Sequence, residues 1–97
     1  MEKTKREKIL VSEALMQFLK VVSNKTRIRI LSLLTEGEKR VSDIQEALGA
    51  KQSYVSQQLQ ILKNKGFLDF RREGTQIYYR LKDDKIIKLL KILEKEV

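Results

Sequence analysis

Cysteine and histidine are both absent from these 97 residues, and the two absences remove whole classes of chemistry. Without thiols there can be no disulfide, and cytoplasm is the expected compartment. Without imidazole or thiolate, the usual nucleophile–base pairs cannot be assembled. Hydroxyls such as Ser53 and Ser56 have no base at helical spacing to activate them. A Gly-rich phosphate loop of the G-x-x-x-x-G-K type is also lacking. Asp83 beside Asp84 is better read as helix capping than as a carboxylate pair. No enzyme activity is expected, and no cofactor. No apolar run approaches the ~20 residues of a membrane span, so no membrane partner is expected. The opening Met-Glu-Lys-Thr-Lys-Arg-Glu-Lys is mixed in charge, unlike a secretory signal.

What is present is a basic chain of globular composition, 41% hydrophobic with a net charge of +8. Its length suits one domain, 1–97, with a single modest core. Half of the surplus, +4, falls within residues 51–80. Cations concentrated in one part of a small domain favour a polyanionic partner.

That part contains two short helical patterns with a tight turn, over 42–65. Ser42 with Gln45 has the spacing of a capping box. Ile44 and Leu48 give the first helix a narrow apolar face, and Gly49 stops it. The second helix starts near Gln52, with Val55, Leu59 and Leu62 turned inward. Gln52, Ser53, Ser56, Gln57, Gln60 and Lys63 are the candidate DNA-reading residues. The far face carries Ser53, Ser56, Gln57, Gln60 and Lys63, with no acid. Helix, Gly-containing turn and helix is the helix-turn-helix arrangement, whose second helix enters the major groove of DNA.

Thr4 and Glu7 mark the start of a helix from about Lys5 to Val22. Asn24 caps a second, Lys25 to Thr35, with Ile28, Leu31 and Leu34 inward and Gly37 near its C′ position. Lys39 to Val41 is a candidate short strand. After Gly66 the hydrophobic period changes from 3.6 to 2. Leu68, Phe70 and Arg72 alternate with Asp69 and Arg71, Glu73-Gly74 turns the chain, and Ile77, Tyr79 and Leu81 return. A basic hairpin over 67–81 that follows a helix-turn-helix reads as a wing. Arg71, Arg72, Thr75 and Gln76 at its tip are candidate contacts to a phosphate backbone or minor groove.

The terminal helices, 1–22 and 83–97, carry more apolar surface than one small domain hides. Val11, Leu15 and Phe18 on the first, with Ile86, Leu89, Leu90 and Leu93 on the last, are expected to build a two-fold dimer. The expected fold is therefore mainly α with a small β-hairpin. It is a winged helix-turn-helix of about five helices and a two-stranded wing, dimeric through its terminal helices. A winged helix used for protein contact, or as a subunit of a larger nucleoprotein complex, is the alternative. The lack of aromatic anchors on the Gln-rich face speaks against it.

Several segments together resemble the ArsR/SmtB family of repressors. Ser23-Asn24-Lys25-Thr26-Arg27-Ile28-Arg29-Ile30-Leu31 is similar to that family's Asp-Pro-Thr-Arg-x-x-Ile-Leu helix start. Tyr54-Val55-Ser56-Gln57-Gln58-Leu59 resembles its Thr-Val-Ser-x-His-Leu recognition helix. Arg71-Arg72-Glu73-Gly74 with Ile77-Tyr78-Tyr79 resembles its wing. The resemblance covers about Leu19 to Leu81 and implies a homodimeric repressor on a palindromic operator in double-stranded DNA. Lys25 stands where the family has Pro, and Gln58 where it has His. Metal-responsive relatives carry Cys-Val-Cys-Asp where this chain has Arg40-Val41-Ser42-Asp43. Their second site uses His on the C-terminal helix, which here offers only carboxylates among lysines. No metal site is therefore expected.

Overall fold

The computed structural model describes residues 13 and 16–96, the side chains of 85 and 93–96 apart. The chain runs through α1 (helical over residues 16–22), α2 (Lys25–Leu34), β1 (Lys39–Arg40), α3 (Val41–Leu48), α4 (Gln52–Asn64), β2 (Leu68–Glu73), β3 (Gln76–Leu81) and α5 (Asp84–Glu96).

Local chemistry accounts for the boundaries. Asn24 is in an extended conformation, and its side-chain oxygen accepts from the Arg27 N–H at 3.1 Å, which starts α2. Gly37 lies one residue past the expected C′ position, with its N–H on the Leu34 carbonyl. The start of α3 differs from the sequence expectation. Arg40, not Ser42, is the N-cap, and the Asp43 carboxylate reaches back to the Arg40 N–H at 3.2 Å. Only half of a capping box can form there, because a guanidinium has no acceptor to return the bond. Ser42 therefore sits inside the first turn, exposed. Gly49 ends α3, and α4 ends in a Schellman motif, Phe67 N–H to the Leu62 carbonyl and Gly66 N–H to that of Lys63. That motif needs a left-handed residue, and Gly66 supplies it at φ 86°.

The hairpin has a two-residue loop, with Glu73 paired to Gln76. Gly74 takes φ 62° while Thr75 stays negative, the signs of a type II′ turn. The wing is wider than the expected hairpin. β1 adds to β3 antiparallel, Lys39 opposite Tyr79 and Arg40 opposite Tyr78, so the sheet has three strands in the order β1-β3-β2. The candidate strand over Lys39 to Val41 is thus present as Lys39–Arg40, and its pairing with β3 is what widens the sheet.

One core joins these layers. Ile30, Leu31 and Leu34 from α2 meet Ile44 from α3, Val55, Leu59 and Leu62 from α4, and Leu68, Tyr79 and Leu81 from the sheet. Phe18 stacks on Phe67 at 6.0 Å between ring centroids, docking α1 against the end of α4. Leu90, expected at a dimer interface, is 3% exposed and belongs to this core. Phe18 and Ile86 are half-buried and Leu89 is exposed, while Val11, Leu15 and the Leu93 side chain lie outside the described residues.

Candidate nucleic-acid interface

The site is built on α4. Val55, Leu59 and Leu62 are fully buried, which fixes the helix's rotation about its axis. Gln52, Ser53, Gln57 and Gln60 are consequently exposed, and Ser56 is half-buried. Gln58 sits between these faces and is 6% exposed, the only buried polar side chain among the described residues. Its Oε1 accepts from Arg27 Nε at 3.0 Å, and the Tyr54 hydroxyl donates to Thr26 Oγ1 at 3.3 Å. Two bonds thus hold the first turn of α2 against α4. Gln58, at the position where the resembled family has His, is thus turned toward α2 and away from the exposed face of α4.

Beside the first turns of α4 lies a groove of about 370 Å³ lined by Val41, Ser42, Gln52, Ser56, Thr75, Gln76 and Ile77. Four predicted site residues, two from the helix and two from the wing, meet there. The lining is uncharged and rich in donors and acceptors. Arg72 pairs with Ile77 across the hairpin, so it projects from the same face of the sheet. It makes no ion pair among the described residues. Ser42, expected from the sequence as a cap, joins this lining. Its true position inside the α3 turn brings it to the groove.

Two predicted residues are engaged elsewhere. Lys63 Nζ lies 4.4 Å above the centre of the Phe70 ring, at the end of α4 farther from the groove. Arg71, adjacent to Arg72, projects from the opposite face of the sheet because strand side chains alternate. Its guanidinium is bound to Glu38 and Glu73 at 2.6 Å each. The hydrogen bond from Arg71 holds the Glu38 carboxyl below the usual glutamate range. In the same way the Arg40 side chain lowers Asp43. Arg40 and Asp43, the ends of the 40–43 segment, are thus paired with one another at 3.1 Å. Among the described residues no three metal-ligating side chains converge.

The family model described as "Bacterial regulatory protein, arsR family" matches residues 24–69, from the α2 cap to the first residues of the wing. The chain is 37% identical over 75 residues to the biofilm growth-associated repressor of Agrobacterium fabrum, covering 77% of this chain and 64% of that protein. The transcriptional repressor BigR from Xylella fastidiosa superposes with a TM-score of 0.85 at 30% identity, over 96% of this chain and 95% of that one. A homodimeric winged helix-turn-helix DNA-binding domain from Mycobacterium bovis gives 0.79 at 33% identity, over 95% and 84%. The chain spans about two thirds or less of the length of the first curated relatives it matches. With the helix-turn-helix, the wing and these likenesses together, the chain belongs to the arsR family of bacterial regulatory proteins.

Proposed function

We propose that this protein is a cytoplasmic transcriptional regulator, acting as a repressor, that binds a palindromic site in double-stranded DNA as a homodimer. The observation that carries this is the meeting of Gln52 and Ser56 of α4 with the wing tip at one uncharged groove. Gln52, Ser53, Ser56, Gln57 and Gln60 are assigned to base edges in the major groove, where Gln to adenine is a favoured pairing. Thr75, Gln76 and Arg72 are assigned to the sugar-phosphate backbone beside it. Helix N-termini and exposed hydroxyls such as Ser42 are suited to the same backbone. A repressor requires only that its bound dimer occlude a promoter.

The test is selection of bound fragments from the genome that encodes the protein, followed by gel shift with the selected sequence. A shared palindrome and a salt-sensitive complex are expected. If a dimer neutralises ~6–10 phosphates, raising salt from 50 to 200 mM weakens it by roughly 10³–10⁵. Recovery of fragments with no common sequence would overturn the reading.

A further inference from the structure

The outer face of the sheet carries a strap that plays no part in the proposed DNA contact. Arg71 extends from β2 across the middle strand, with its guanidinium carbon 4.3 Å from the centre of the Tyr78 ring. Nε donates to Glu38 Oε1 at 2.9 Å and Oε2 at 3.1 Å, and Nη2 donates to Oε1 at 2.6 Å. Nη1 donates to Glu73 Oε2 at 2.6 Å. Glu38 precedes β1, which lies at the other edge of the sheet from β2, so the strap spans all three strands. One cation faces two carboxylates. Farther along the same face Arg80 is paired with Asp69 at 3.4 Å. The groove side of the hairpin, where Arg72 projects, has no such pairing among the described residues.

We propose, on the DNA-binding reading, that Glu38 is a specificity-determining residue. With Glu73 it withholds Arg71 from DNA phosphates and leaves Arg72 as the wing's cationic contact. Phosphate contacts add affinity for every sequence alike, whereas base contacts distinguish sequences. Keeping one guanidinium occupied therefore lowers the background of nonspecific binding and leaves the base-reading face of α4 unaffected. The bonds involved are charge-assisted and multidentate, the kind that Arg would otherwise offer a phosphate. To reach DNA, Arg71 would have to exchange them, and leave the Tyr78 ring, for an equivalent set.

The test uses the full chain, a random-sequence duplex of about two helical turns, and fluorescence anisotropy at several salt concentrations. E38Q/E73Q is expected to bind roughly three- to tenfold tighter at low salt, with a log–log salt slope steeper by about one. Adding R71A should remove the change in slope. E36Q/E46Q, which deletes the same charge without freeing a guanidinium, should leave the slope as it was. The strap is exposed and contributes little to stability. E38Q alone, the milder change, should move the slope in the same direction if the double variant loses its thermal unfolding transition. An unchanged slope in E38Q and E38Q/E73Q, or a steepened slope that survives R71A, would overturn the inference alone. No binding by the unaltered chain would overturn the DNA-binding reading and this inference with it.

Discussion

At the scale of single residues, Gln58 has the most exacting surroundings. It is buried, and its Oε1 accepts one bond, from Arg27. Removing the acceptor leaves a half-buried Nε–H without a partner, and such a loss costs about 1–3 kcal/mol. Gln58→Leu should lower the urea midpoint accordingly, and Arg27→Met in the same chain should restore part of it. An unchanged midpoint for the single variant would show that water replaces the bond freely. This role was not legible in the sequence. Position 58 falls between the inward and outward faces of the helix, and its partner lies 31 residues away. A helical pattern shows which residues share a face, and it carries no information about what stands opposite a polar one. The same limit applies to Arg71 and Lys63, whose charge alone does not show that Glu38 and Phe70 stand beside them.

At the scale of elements, α4 and the wing are expected to fail in different ways. Gln57→Ala should relax the preference for one operator over its variants, by ~1–3 kcal/mol of lost discrimination per good base contact. Arg72→Ala should weaken every duplex alike and flatten the salt slope by about one. A change in operator ranking in Arg72→Ala would contradict this division, and competition gel shifts with a panel of operators measure it. The sheet makes a separate prediction about acid. The folded pKa values of Glu38 and Asp43 lie below their ordinary ones, each through the hydrogen bond from an arginine. The stability they add is therefore fully present above the ordinary carboxylate range and is lost as pH falls through the depressed values. Both pairs are solvent-exposed and screened, so the effect is small: melting temperature should be flat from neutrality to about pH 5 and decline below that, slightly less in Glu38→Gln. Most of these elements were legible. The 3.6-residue period of α4, the period of two in the hairpin, and Gly49, Gly66 and Gly74 at three turns each have a local cause. The pairing of β1 with β3 and the true cap of α3 were not, because both depend on contacts made only once the sheet and Asp43 are in place.

At the scale of the molecule, Met16 (65% exposed) and Leu19 (48%) on α1, with Leu89 (38%) and Ile92 (57%) on α5, leave apolar surface on both terminal helices. We expect a second copy of the chain to cover it, and Leu89→Glu with Ile92→Glu should give a folded monomer in sedimentation at micromolar concentration. A dimer that survives both changes would place the interface elsewhere. Operator affinity should also be the same with micromolar zinc and with chelator, because the family's soft-ligand positions hold an arginine and a serine. A change of tenfold, ~1.4 kcal/mol, that followed saturable zinc binding would contradict this. One feature of the sheet bears on how the chain acquires its shape. β2 and β3 meet through a two-residue turn, but β1 finds β3 only across forty residues, Lys39 against Tyr79. Closing so long a loop for two residues of pairing is entropically unfavourable until the intervening helices have condensed. The hairpin can therefore form early and on its own. The edge strand, and with it the bonds from Arg71 to Glu38, follows the hairpin, so until it docks Arg71 is held only by Glu73 and the Tyr78 ring within the hairpin itself.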